Sequence, residues 1–176
     1  YSKCTQLLLA ARAAVDQPDK DNITPLCVAC RFGYGECTQL LLTARATVEQ
    51  PDNDGVTPLL VACKYGYSEC TQLLLAGNAA VGHADPKGIT PLHVACSGGF
   101  FDITRQLLHA GARSNLRTAG GRTALNVADA SGHTVIVKLL RTHRPRRALA
   151  PVTTPLVSAE ARAVAELAAE LAAVAL

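Results

Sequence analysis

The chain has 176 residues and a formal net charge of +3, with 49% hydrophobic, 4% aromatic and 18% charged residues. Apolar content this high excludes an intrinsically disordered chain, and no apolar run approaches the roughly 20 residues of a membrane-spanning helix. Basic and acidic residues balance over 1–137, so that stretch has no electrostatic footprint for nucleic acid, which is not an expected partner. Trp and Met are absent, so a core must be built from Ala, Leu, Val and Cys. The chain opens YSKCTQ, without an initiator Met or a charged-then-apolar signal pattern. It reads as a fragment of a longer chain.

The first predicted element is a helix carrying CTQLLL at 4–9. The same six residues return at 37–42 and 70–75, each copy 33 residues after the last, and looser copies follow as ITRQLL at 103–108 and IVKLLR at 136–141. Between them a second motif keeps the beat: Thr24-Pro25-Leu26, Thr57-Pro58-Leu59, Thr90-Pro91-Leu92 and Thr123-Ala124-Leu125. A fixed period of this length predicts a stacked-repeat solenoid.

Residues 85–117 show how one unit is expected to fold. Asp85-Pro86-Lys87-Gly88 is turn chemistry, with Asp bonding its local backbone and Gly taking positive φ. Thr90 then caps a short helix whose first residue, Pro91, has no N–H to leave unpaired. Leu92, Ala95 and Cys96 form its apolar stripe, and Gly98-Gly99 ends it. A second helix opens near Asp102 with Ile103, Leu107 and Leu108 inward, and Ala110-Gly111-Ala112 closes it. Neither helix is long enough to be stable alone. Stacking the units buries both stripes.

The stretch Gly88-Ile89-Thr90-Pro91-Leu92-His93-Val94-Ala95 closely resembles the ankyrin-repeat signature, and helix-ending glycines recur at Gly33, Gly66, Gly99 and Gly132. The resemblance implies an all-α ankyrin-repeat solenoid over 1–144. Its helix-turn-helix units carry β-turn tips and fall at about 1–18 (partial), 19–51, 52–84, 85–117 and 118–144. It also implies that His93 hydrogen-bonds the motif Thr and a neighbouring turn. Cys27, Leu60 and Asn126 stand in that slot elsewhere, which predicts a weaker network there. Asp129 and Arg141 replace apolar slots in the last unit, as suits a terminal repeat whose outer face meets water.

Seven cysteines are present. Cys4, Cys37 and Cys70 share one phase, Cys30, Cys63 and Cys96 another, and Cys27 stands apart. Periodicity of this kind marks packing slots, so free, reduced and mostly buried thiols are expected, in an intracellular compartment, cytoplasm or nucleus. Cys27 and Cys30 form a CxxC, but with no second pair to complete four ligands it reads as packing, and no metal or other cofactor is expected. The five His form no triad with Ser or Cys and Asp, and neither HExxH nor a GxxxxGK[ST] loop occurs. The chain is therefore not expected to be an enzyme.

In ankyrin arrays the partner lies on the concave face, built from turn tips and first helices. Carried over by position, the tips are Lys20-Asp21, Asn53-Asp54, Pro86-Lys87 and Ala119-Gly120, and the residues after the turn glycine are Ile23, Val56, Ile89 and Arg122. The first-helix surface pairs are Arg31-Phe32, Lys64-Tyr65, Ser97-Gly98 and Ala130-Ser131. Aromatics and Arg are enriched at interface hot spots, so the candidate partner-binding set is Lys20, Arg31, Phe32, Asn53, Lys64, Tyr65, Lys87 and Arg122. Tyr34, Tyr67 and Phe100 follow the helix-ending glycines and are expected to cover the turn between helices.

Beyond the array, Lys138, Arg141, Arg144, Arg146 and Arg147 concentrate positive charge around a helix end that Pro145 stops. Residues 145–157 read as a basic, Pro-containing linker. Ser158 then caps an amphipathic helix over 158–176, with Val164, Leu167, Leu171 and Val174 on one stripe. That helix can fold back, lead onward, or pair with another helix, including that of a second copy. The expected function is a scaffold or adaptor that binds another protein. The alternative is a regulatory or substrate-recruiting arm of a larger protein, such as a ubiquitin-ligase adaptor or a multidomain enzyme. A suppressor-of-cytokine-signalling box is disfavoured, since no Cys follows Cys96.

Overall fold

A computed structural model describes residues 2–143. Arg144, the linker at 145–157 and the amphipathic helix at 158–176 lie outside the described residues. Among the described residues there are nine helices and no strand: α1 (Ser2–Ala10), α2 (Pro25–Arg31), α3 (Gly35–Thr43), α4 (Pro58–Tyr65), α5 (Ser68–Ala76), α6 (Pro91–Ser97), α7 (Phe101–His109), α8 (Ala124–Ala130) and α9 (Thr134–Thr142). An isolated bridge joins Arg117 and Thr123.

Each first helix starts at the Thr that the repeat supplies. Thr24, Thr57 and Thr123 are extended, and their hydroxyls accept from the backbone N–H groups of Cys27, Leu60 and Asn126. Proline occupies the first turn of α2, α4 and α6, where a missing N–H is harmless. The second helices have no side-chain cap. In three of them a fully buried Thr returns its hydroxyl to the carbonyl four residues back: Thr38 to Tyr34, Thr71 to Tyr67 and Thr104 to Phe100.

First helices α2, α4, α6 and α8 stack side by side in one layer, and second helices α1, α3, α5, α7 and α9 in the other. Leu26, Leu59, Leu92, Leu74, Leu107 and Ile136 fill the space between the layers. Tyr67 and Phe100 pack across the repeat boundary. A side chain at Gly33 would collide with the Tyr67 ring, and one at Gly66 with the Phe100 ring. These rings therefore cover the turn of the preceding repeat, and Phe100 also lies against Gly98 of its own.

Six of the seven cysteines are buried, but not the six that share the period. Cys27, off the beat, is buried. Cys4, on the beat, is exposed, because α1 has no first helix beside it and buries no residue. Burial pushes the Cys27 thiol up to about 11 and those of Cys63 and Cys96 up to about 12. These thiols stay protonated, which suits packing and not metal ligation or nucleophilic attack. In the last repeat Asp129 and Arg141 are exposed, so the polar substitutions do meet water.

Candidate functional site

The tips are built by local hydrogen bonds. Asp19, Asp52 and Asp85 each turn one carboxylate oxygen onto two amides of their own loop: Asp21 and Ile23, Asp54 and Val56, Lys87 and Ile89. Thr118 takes the place of Asp in the fourth tip and accepts from the Arg122 N–H. Neighbouring tips are then joined. The Asn53 N–H donates to the Asp21 carbonyl at 3.1 Å, and the Ala119 N–H donates to the Lys87 carbonyl at 2.8 Å. The equivalent residue between these pairs is Pro86, which has no N–H to offer the Asp54 carbonyl. By backbone bonds the tips are therefore joined as first with second and third with fourth, while His83 Nε2, 3.1 Å from the Gly55 carbonyl, spans the remaining gap.

Each joined pair borders a groove on the face made by tips and first helices. The first groove, of about 330 Å³, gathers Arg31, Asn53, Lys64 and Tyr65 with the carboxylates of Asp21, Asp52 and Asp54. Ile23, Val56 and Val61 give it an apolar floor. The second, of about 560 Å³, holds Lys87 and Arg122. All eight candidate residues are exposed, and six of them fall into these two grooves. Lys20 and Phe32 line neither. Phe32 instead stacks on Tyr34, with ring centroids 5.9 Å apart. Its neighbour Arg31 is not paired with that ring. In the next repeat the cation–aromatic pairing is real, with the Lys64 ammonium 5.9 Å from the Tyr65 ring centre.

Among the described residues, Arg31, Lys64, Lys87 and Arg122 make no ion pair. Among the described residues the one salt bridge joins Arg105 to Asp102, at 3.1 Å on α7. The acids of the first groove are absent from the sequence-derived set, although Asp21 and Asp54 share its turn slots. The signal that could have found them is position: each follows a chosen residue, Lys20 or Asn53, in the same tip.

A family model described as Ankyrin repeats (3 copies) matches residues 1–83 and 77–147, which is most of the chain. The chain belongs to the ankyrin-repeat family. Ankyrin repeats are generally protein–protein interaction modules with a non-catalytic fold. No individual curated protein matches the chain at a significant level. Among the described residues no helix is long and apolar enough to cross a membrane.

The ankyrin histidine behaves as the resemblance implied. The Thr90 N–H donates to His93 Nδ1 at 3.2 Å, the Thr90 hydroxyl lies 2.8 Å from the same nitrogen, and Nε2 reaches the Arg122 carbonyl at 3.2 Å. Nδ1 accepts, so the neutral ring carries its proton on Nε2 and donates it to the next repeat. Asn126 keeps half of this arrangement: its Oδ1 accepts from the Thr123 N–H and hydroxyl. Cys27 and Leu60 supply only their backbone N–H groups.

Burial holds the His93 imidazole below its ordinary range, and the backbone hydrogen bonds to Arg122 and Leu116, with the weaker Asp85 charge, oppose this only in part. A depressed pKa means the unfolded state binds more protons once pH falls below about 6.5. His93 therefore contributes stability that is full above that pH and is lost as pH drops below it. The melting temperature of the array is expected to fall between pH 7 and pH 5. In His93→Asn, which copies the Asn126 arrangement, that slope is expected to shrink. An unchanged slope would show that other groups carry it.

Proposed function

We propose that this ankyrin array is a non-catalytic module that binds another protein on the face of its turn tips and first helices. The carrying observation is the division of labour along the repeat. Beat-keeping Leu26, Leu59, Leu92, Cys30, Cys63 and Cys96 are buried in the stack, while Arg31, Lys64, Tyr65, Lys87 and Arg122, in slots that vary, gather in grooves on one face over beat-keeping Val61, Val94 and Val127. Four cations without ion partners among the described residues, two of them in the groove of exposed Tyr65, are what a partner can pair with and stack on. The six buried thiols support an intracellular setting, where cysteines stay reduced.

Replacing Arg31, Phe32, Lys64 and Tyr65 together by Ala is expected to abolish pull-down of a partner that the native chain retains. The melting temperature should stay within a few degrees, because all four side chains are exposed. Full retention of the partner by the fourfold variant would move the site elsewhere.

A further inference from the structure

Where the first two repeats place Arg31-Phe32 and Lys64-Tyr65, the next two place Ser97-Gly98 and Ala130-Ser131. Exchanging a long cation and an aromatic ring for small residues lowers the same face in the second half of the array. The groove there measures about 560 Å³, against about 330 Å³ in the first half. Its walls are mainly apolar or small, with Ile89, Val94 and Val127 beside Ser97, Ala119 and Gly120. Charge differs as well. The first groove sets three carboxylates against two cations, whereas the second has Lys87 and Arg122 and no carboxylate lining it. The neighbouring Asp85 turns its Oδ1 toward the amides of Lys87 and Ile89.

This step rests on the reading that the face binds a protein. We propose that the hollow between the third and fourth tips receives a bulky apolar side chain of the partner, next to an acidic residue whose carboxylate meets Lys87 and Arg122. The apolar walls and the volume call for a large aliphatic or aromatic group, since a small one would leave most of the hollow filled with water. The two rim cations, lacking any acidic neighbour in the groove, favour a carboxylate and repel a basic residue. A nucleic-acid backbone is disfavoured because it would continue over Asp21, Asp52 and Asp54 in the adjoining groove.

The test is an NMR titration of the ¹⁵N-labelled full chain with short blocked peptides of the pattern Gly-Ser-Asp-Phe-Ser-Gly. The Asp-Phe peptide is expected to shift the amides of Ser97, Gly98, Gly120 and Arg122. Exchanging its Asp for Asn or Lys, or its Phe for Ala, should weaken binding by about tenfold or more. On the protein side, Ser97→Phe fills the hollow from within, and Lys87→Glu with Arg122→Glu reverses the rim. Each should cause a similar loss at an unchanged melting temperature, which excludes misfolding. Equal binding of the Lys-Phe peptide, undiminished binding to Ser97→Phe, or no shift with any peptide overturns the proposal. Shifts confined to Asn53, Lys64 and Tyr65 also overturn it, while leaving the binding face intact. Shifts confined to Gln72 and Arg105 on the second helices overturn the face itself.

Discussion

Leu74→Ala is expected to lower stability by about 2–5 kcal/mol, measured by denaturant melting. Leu74 lies on α5 with no exposed surface, in the slot shared by Leu8, Leu41, Leu107 and Leu140. It is held by helices on both sides of its own repeat, since α5 contacts α3, α4 and α7. Such a site cannot collapse without moving two repeat boundaries, so most of the cavity would persist. Leu41→Ala should behave similarly, at 5% exposure. Leu7→Ala supplies the control: Leu7 is 65% exposed, and its truncation should change stability by less than about 0.5 kcal/mol. A loss that small at Leu74 would mean that the helices pack in a different register.

The second large effect is expected at Gly66. Its φ is +81°, a conformation that costs an L side chain about 1–2 kcal/mol. A Cβ built there would also sit 2.5 Å from the Phe100 ring, and overpacking of that kind costs about 1–3 kcal/mol. Gly66→Ala should carry both penalties. Gly132 has φ of +75° but nothing within 4 Å of an added Cβ, so Gly132→Ala should carry only the first. Truncating the ring in Gly66→Ala/Phe100→Ala removes the collision, so the double variant should be more stable than the two single losses add up to. Equal losses at Gly66 and Gly132 would show that the ring does not seal the turn.

The spacing of CTQLLL and of the Thr-Pro-Leu motif was enough to read the helices, their caps and their glycine ends. Each is a local feature repeated in phase, and repetition averages out the ambiguity of any one copy. Burial of Leu74, Ile103 and Leu107 followed from the same spacing. What sequence could not carry was contact across the repeat boundary. Tyr67 and Phe100 cover the preceding repeat's glycine, a relation between residues about a repeat apart that no local pattern records. The same gap hid the exposure of Cys4, whose slot is buried only where a first helix lies beside it. Phe32 and Tyr65 hold one slot and each meets the Tyr two residues on, yet only Tyr65 lines the groove. Six of the eight candidate residues lie in the grooves because slot position dictates face. Asp21 and Asp54 fall outside the set because the hot-spot preference for aromatics and Arg says nothing of acids.

The most direct test of the division between stacking and reading is hydrogen exchange of the array, free and bound to a partner captured by the native chain. The expected result is added protection in the tips and first helices, at 19–23, 52–65 and 85–97, with the second helices at 35–43, 68–76 and 101–109 unchanged. Protection concentrated in the second helices would contradict the account, because it would place the partner away from the tips and first helices.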